Sequence, residues 1–223
     1  MQTVIKRIIT GFSLLFIFLT SFIYLPPIYL SVLLIASLVW ILLFEWPNLF
    51  NPAKLPFWLI MPFYPIMPFI LLILLNHNPS YRNLLLILFI LVAAYDSGSY
   101  AVGISLGRHK IAPLISPAKT WEGFFGGYVC TLLALILLLG KFDVSVSFYF
   151  VVVFTLLISI IAFFGDLFES LLKRQVQIKD SGTILPGHGG LLDRFDGILF
   201  VAFFFYFFKN YLVSFLLPSN LLS

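Results

Sequence analysis

Residues 146–164 read VSFYFVVVFTLLISIIAFF, an apolar run without a charge that ends on Gly165 and Asp166. A bilayer core takes about 20 mostly apolar residues per helix, so the run is read as a spanning helix. Similar runs recur on either side of it. Bounded by Pro, Gly and Asn, they fall at about Ile8 to Tyr24, Ile28 to Phe44, Phe57 to Leu75, Leu84 to Leu106, Phe124 to Leu139, Val146 to Phe164 and Leu191 to Leu217. The expected fold is therefore an all-α polytopic integral membrane protein of about seven transmembrane helices. Pro62, Pro65 and Pro68 should bend the third of them.

Composition supports this reading. The chain has 223 residues, 61% of them hydrophobic and 10% charged, and a mean hydropathy of +1.10. Soluble domains carry about 25% charged residues, which excludes a soluble globular protein. The 27 phenylalanines and long aliphatic runs exclude disorder and a collagen-like chain. A net charge of +4, scattered along the sequence, does not suggest a nucleic-acid partner and suits an anionic lipid surface. Cys130 stands alone, so no internal disulfide forms, and the thiol is expected to pack as a small hydrophobe. Lys6 and Arg7 precede the first apolar stretch as they would in a secretory signal. That stretch is long, lacks a small-residue cleavage site and is followed by equally apolar segments, so it is read as a first span.

Cytoplasmic loops carry the excess of Lys and Arg. With the N-terminus inside, ten of the thirteen basic residues face the cytoplasm, leaving Arg82, Lys141 and Lys209 outside. The same orientation puts the acids on the cytoplasmic face except for Asp143. No repeat or composition shift divides residues 1–223, which are read as one transmembrane domain with N-terminal helices over 1–80 and a catalytic region over 82–217.

Most of the polar chemistry falls in two stretches, Asp96 to Glu122 and Asp166 to Asp196. Asp166 closes one span and Asp193 opens the next, so the two lie at similar depth on helices joined by a single loop. An Asp at the centre of a membrane helix costs about 2.5–3.5 kcal/mol, so such residues pair or bind ions. Two converging carboxylates suit a hard cation such as Mg²⁺ held together with substrate phosphates. A structural ion pair of Asp166 with Arg194 or Lys173 accounts for the spacing equally well. Gly189 and Gly190, after Pro186, Gly187 and His188, precede a helix start and can turn N–H groups toward a phosphate. An ordinary glycine-rich turn is the alternative. His188 reads either as a phosphate donor or acid, or as a hydrogen-bonded loop histidine. In the first stretch Asp96 interrupts an apolar span, and Ser116, Lys119 and Thr120 set hydroxyls and a cation beside a helix start. Arg108, His109 and Lys110 read as attractors of lipid or as orientation anchors. An ion path through Asp96, Asp166 and Asp193 would instead require acids at mid-membrane and repeated halves.

Ser170, Lys173, Arg174, Lys179, Asp180, His188, Gly189, Gly190, Asp193, Arg194 and Asp196 fit a Ser-x-x-Lys-Arg-x-x-x-x-Lys-Asp pattern followed by His-Gly-Gly-x-x-Asp-Arg-x-Asp. In this the sequence resembles the phosphatidate cytidylyltransferases, also called CDP-diacylglycerol synthases. The upstream segment is similar too, with Asp96-Ser97-Gly98, Gly107-Arg108-His109-Lys110 and Ser116-Pro117-Ala118-Lys119-Thr120-Trp121-Glu122-Gly123. The resemblance implies Mg²⁺-dependent transfer of a cytidylyl group from CTP to phosphatidic acid, giving CDP-diacylglycerol and pyrophosphate in phospholipid biosynthesis. It also implies a polar cavity facing the cytoplasm, in a bacterial inner membrane, with Asp166 and Asp193 holding the metal and room for a second cation, monovalent or divalent. On this reading Lys179, Arg194, His188 and Asp196 are expected to join them in catalysis, and Ser116, Lys119, Thr120, Lys173, Arg174, Gly189, Gly190 and Asp96 to bind substrate. Membrane lipid surrounds the chain, and the resemblance leaves a homodimer open.

Overall fold

Proline sets where the first three long helices begin, because its fixed φ suits the first helical turn, where an N–H has no partner anyway. The structure, a computed structural model, describes residues 13, 16–142, 144–185 and 189–217. Residues 16–23 are helical. Pro27 opens α1, Pro27–Leu49, and Pro79 opens α3, Pro79–Leu106, where the Asn78 side chain accepts from the Ser80 N–H at 3.0 Å. Between them α2, Leu55–His77, bends over Pro62–Ile66, with Tyr64 at φ −150° and ψ 110°, as its prolines lead one to expect. Then come the strands β1, Lys110–Ala112, and β2, Ser116–Thr120, and the helices α4, Trp121–Phe142, and α5, Phe148–Gln175. The chain returns through α6, Leu192–Phe207, and α7, Lys209–Leu216.

Helix α3 is the hub, touching α2, α4, α5, α6 and α7. Its Leu84, Leu85, Leu88 and Leu91 are buried with Ile158 of α5 and with Leu199, Ala202 and Phe205 of α6. Against α4 it packs at backbone distance: a Cβ on Gly127 would lie 2.7 Å from the Tyr95 ring, and one on Gly98 would lie 2.6 Å from the Cys130 sulfur. Small residues serve this purpose between membrane helices, where burial in hydrocarbon gives no preference for helix over lipid and close packing must supply the attraction. Phe63, Leu137 and Tyr149 point outward, which lipid tolerates and water would not. This is a multi-pass membrane protein.

Among the described residues five helices are long and apolar enough to cross a bilayer, or six if α6 and α7 form one broken span. The expected span from Leu191 to Leu217 is broken: the chain turns by 88° at Phe208. The reason lies in the next two residues. Lys209 sits over the Tyr206 ring at 3.7 Å, and the Asn210 side chain accepts from the Tyr81 hydroxyl at 2.7 Å. A cation and an amide in succession resist entry into hydrocarbon, and here they stay with polar and aromatic partners. The expected span from Ile8 to Tyr24 falls mostly outside the described residues, as does Asp143. The all-α membrane architecture is as expected, with one addition that the sequence did not suggest: β1 and β2 form a short antiparallel hairpin within the first polar stretch. Pro113 and Pro117 keep helix out of this segment, and the carboxylate of Glu122 ties its start, accepting from the Arg108 and His109 N–H groups at 3.1 and 3.2 Å.

Candidate active site

The two polar stretches meet at one end of the bundle. Helix α5 continues beyond its apolar run to Gln175, so Asp166, Glu169, Ser170 and Lys173 stand on a helix, with Lys173 and Arg174 in the last turn, where cations suit the helix dipole. Arg174 reaches across to the hairpin and donates to the Ile115 carbonyl at 3.1 Å. Lys119, at the end of β2, donates to Asp166. Thr120 accepts from the Gly123 N–H at 3.1 Å and so caps α4.

Between these elements lies a cavity of about 1140 Å³. Its wall carries Asp96 from α3, Asp166 from α5, Asp196 from α6 and Asp180 from the loop, matched by Lys110, Lys119, Lys179 and Arg194. Thr120 and Gly189 also line it. Asp166 and Asp196 can share this space because Gly165 lets α5 and α6 touch: a Cβ there would lie 2.6 Å from the Asp196 carbonyl oxygen. Asp166 accepts from Ser170 at 3.3 Å on its other oxygen. Burial would lower the pKa of the Lys119 ammonium, but the charge of Asp166, its hydrogen bond, and Asp96 and Asp196 beyond it hold that pKa above its ordinary value. Lys119 is thus a fixed cation at neutral pH.

Asp193 is placed differently. It lies behind the cavity wall in a buried network, where Oδ1 accepts from Lys173 at 2.6 Å and Oδ2 from the Ser181 and Gly190 N–H groups at 2.9 and 2.7 Å. Gly189, which lines the cavity, packs against it; a Cβ on Gly189 would lie 2.8 Å from Asp193 Oδ2. Lys173 also donates to Glu169 at 3.2 Å. The ion-pair alternative raised from the sequence is therefore met with other partners: Asp166 pairs with Lys119, and it is Asp193 that pairs with Lys173. Gly190 belongs to the same network, while Ser116 and Arg174 belong to the hairpin and its tether rather than to the cavity wall. His188 lies outside the described residues.

The described residues contain no group of three His, Cys, Asp or Glu side chains set to hold a metal unaided. Mg²⁺ keeps several waters and takes one or two carboxylates together with substrate phosphates, a demand that the hard oxygens of Asp166, Asp96 and Asp196 around one cavity meet.

The model of the cytidylyltransferase family matches residues 2–212 of this sequence. The chain belongs to the cytidylyltransferase family. Among curated proteins it is 47% identical over 113 residues to a phosphatidate cytidylyltransferase of Staphylococcus haemolyticus, covering 51% of this chain and 44% of that one. It is 48% identical over 118 residues to the phosphatidate cytidylyltransferase of Bacillus subtilis, covering 53% and 44%. The matched stretches make up under half of each relative, so the chain spans a little under half the length of the curated relatives it matches.

One buried acid beside this candidate site was not singled out from the sequence. Glu45, on α1, is buried, and its carboxylate accepts from the Leu191 and Leu192 N–H groups at 2.7 and 2.8 Å. The available signal was its isolation, as the first acid in the sequence, 51 residues before Asp96.

Proposed function

We propose that the protein transfers a cytidylyl group from CTP to phosphatidic acid, releasing pyrophosphate and leaving CDP-diacylglycerol in the membrane. The observation that carries this reading is the cavity itself. Four acids and four cations drawn from both polar stretches line one space, inside a chain that belongs to the cytidylyltransferase family. A phosphate monoester has its second pKa near about 6, so the lipid phosphate attacks as an anion and no strong general base is needed. The task is to bring two polyanions together in line and to neutralise the leaving group.

Lys179 and Arg194 line the cavity beside the Gly189 turn and are suited to grip the triphosphate and the departing pyrophosphate. Lys119 orients Asp166 and offsets the charge of its neighbours. Asp166, with one of Asp96 and Asp196 across the same space, would hold Mg²⁺ together with the substrate phosphates. Asp193 would join them only by giving up Lys173 or its backbone donors. When bound, the ion would supply positive charge to the phosphate oxygens and the leaving pyrophosphate. Tyr100 and Ile104 on the cavity wall are largely exposed, which suits a substrate that is part headgroup and part acyl chain. The cavity would face the cytoplasm, the side from which CTP arrives.

The test is to give the protein, purified in detergent, labelled CTP, phosphatidic acid and Mg²⁺. The expected product is a lipid-soluble cytidine compound, absent when chelator replaces the metal. Pyrophosphate release without labelled lipid would refute the transfer.

A further inference from the structure

Helix α6, which carries Asp193, Arg194 and Asp196, has Leu191 at its N-cap position, a residue whose side chain cannot cap a helix. The first N–H groups of a helix have no partner within it and need an acceptor. Here the acceptor comes from 146 residues away. Glu45 Oε1 takes the Leu191 N–H at 2.7 Å, and Oε2 takes the Leu192 N–H at 2.8 Å and the Ser181 hydroxyl at 3.0 Å. Asn48, less than one turn further on, donates to the Ser181 carbonyl at 3.0 Å.

Two independent features show that the chain is shaped around this carboxylate. Glu45 ends a π-helical turn, Ile41–Glu45, whose wider turn alters the direction of the side chains that follow. On the loop side, glycines keep the space open. A Cβ on Gly182 would lie 3.0 Å from Glu45 Cγ and Oε1, and one on Gly190 would lie 2.8 Å from Oε2 and 2.1 Å from Ser181 Oγ.

We propose that Glu45 is a positioning residue of the active site, a clamp that joins Ser181 to the start of α6 and thereby sets where Lys179 and Arg194 stand on the cavity wall. Both cations lie within three residues of an atom that Glu45 holds. Release of the clamp frees the loop between α5 and α6 without touching the hairpin, Lys119 or Asp166. The role rests on the transferase reading given above, and the test separates the two.

In Glu45→Gln one oxygen becomes an amide nitrogen that cannot accept, so at least one of the three donors loses its partner. The folded variant, isolated by size exclusion, should turn over at least about tenfold more slowly, the scale of one buried hydrogen bond to a charged group. The KM for CTP should rise while that for phosphatidic acid stays within about twofold, because the lipid side of the cavity is not held by the clamp. Trypsin should cut after Lys179 at least about fivefold faster than in the unmodified protein, since local opening exposes the bond. A residue that merely supports the fold would lower the yield or the melting temperature and leave these readouts unchanged in the folded fraction.

Wild-type turnover and wild-type cleavage in folded Glu45→Gln would overturn the proposal, as would a loss expressed equally through both substrates at an unchanged cleavage rate. If that variant does not fold, Gly182→Ala presses on the clamp from the loop side and should show the same pattern at about threefold; unchanged cleavage there overturns it equally. The cleavage assay needs no chemistry. Failure of the unmodified protein to label lipid would refute the transferase function, while the clamp is still decided by trypsin.

Discussion

The pairing of Lys119 with Asp166 offers the sharpest perturbation, because a structural ion pair and a catalytic carboxylate respond differently to the loss of both partners. The two side chains are 20% and 22% exposed, between a surface pair, worth about 0–1 kcal/mol, and a buried one, whose truncation costs about 3–5 kcal/mol. Asp166→Asn should therefore destabilise the detergent-solubilised protein by about 2 kcal/mol, because it leaves the Lys119 ammonium in a partly buried site with Asp96 and Asp196 as its remaining counter-charges. Lys119→Met should cost a similar amount, since Asp96, Asp166 and Asp196 then face one another without it. The double variant should recover most of that stability, a coupling of about 1–2 kcal/mol in a double-mutant cycle followed by thermal unfolding. Turnover should not recover. If Asp166 holds the metal and orients the phosphates, its removal costs at least about a hundredfold with or without Lys119. Restored turnover in the double variant would show that Asp166 serves only to neutralise Lys119, and the metal site would have to be sought elsewhere.

Arg194→Ala should lower turnover by about a hundredfold or more at saturating lipid, whereas Arg108→Ala should mainly raise the amount of phosphatidic acid required; rates measured while each substrate is varied in turn check both. Gly165→Ala should separate α5 from α6, since its Cβ would lie 2.6 Å from the Asp196 carbonyl, with a loss of about 1–3 kcal/mol in unfolding and a matching loss of activity. Lys119 has its pKa raised above 10.5, so the stability it contributes is complete below that pH and is lost only as pH rises through the higher folded value. Unfolding measured across alkaline pH should show a decline near and above pH 10.5 that is absent in Lys119→Met. For topology, a cysteine at Asn78 should be labelled from outside and one at Thr183 from the cytoplasm, each in a background lacking Cys130; finding Thr183 outside would separate the cavity from CTP.

Much of this architecture is a direct consequence of composition. A chain with so few charges has nowhere to put its apolar runs except in lipid or against one another, so the existence of the spans and the bend over Pro62, Pro65 and Pro68 follow from the sequence alone. The confinement of chemistry to two polar stretches follows in the same way, because charge in hydrocarbon is too costly to scatter. Spacing placed Asp166 and Lys173 on one helix and Asp193 and Asp196 on another, as observed. Partnership was not legible there. Whether Asp166 meets Lys119, Lys173 or Arg194 depends on where the hairpin of residues 110–120 lies against α5, and two prolines within it and the glutamate just after it shape that segment. The turn at Phe208 likewise depends on Tyr81 and Tyr206 standing where Lys209 and Asn210 can reach them. Glu45 is the clearest case. Local periodicity assigns it only to the end of an apolar run, yet its carboxylate ends 2.7 Å from the backbone of Leu191, because long-range packing brings an acceptor to a helix start that has no cap of its own.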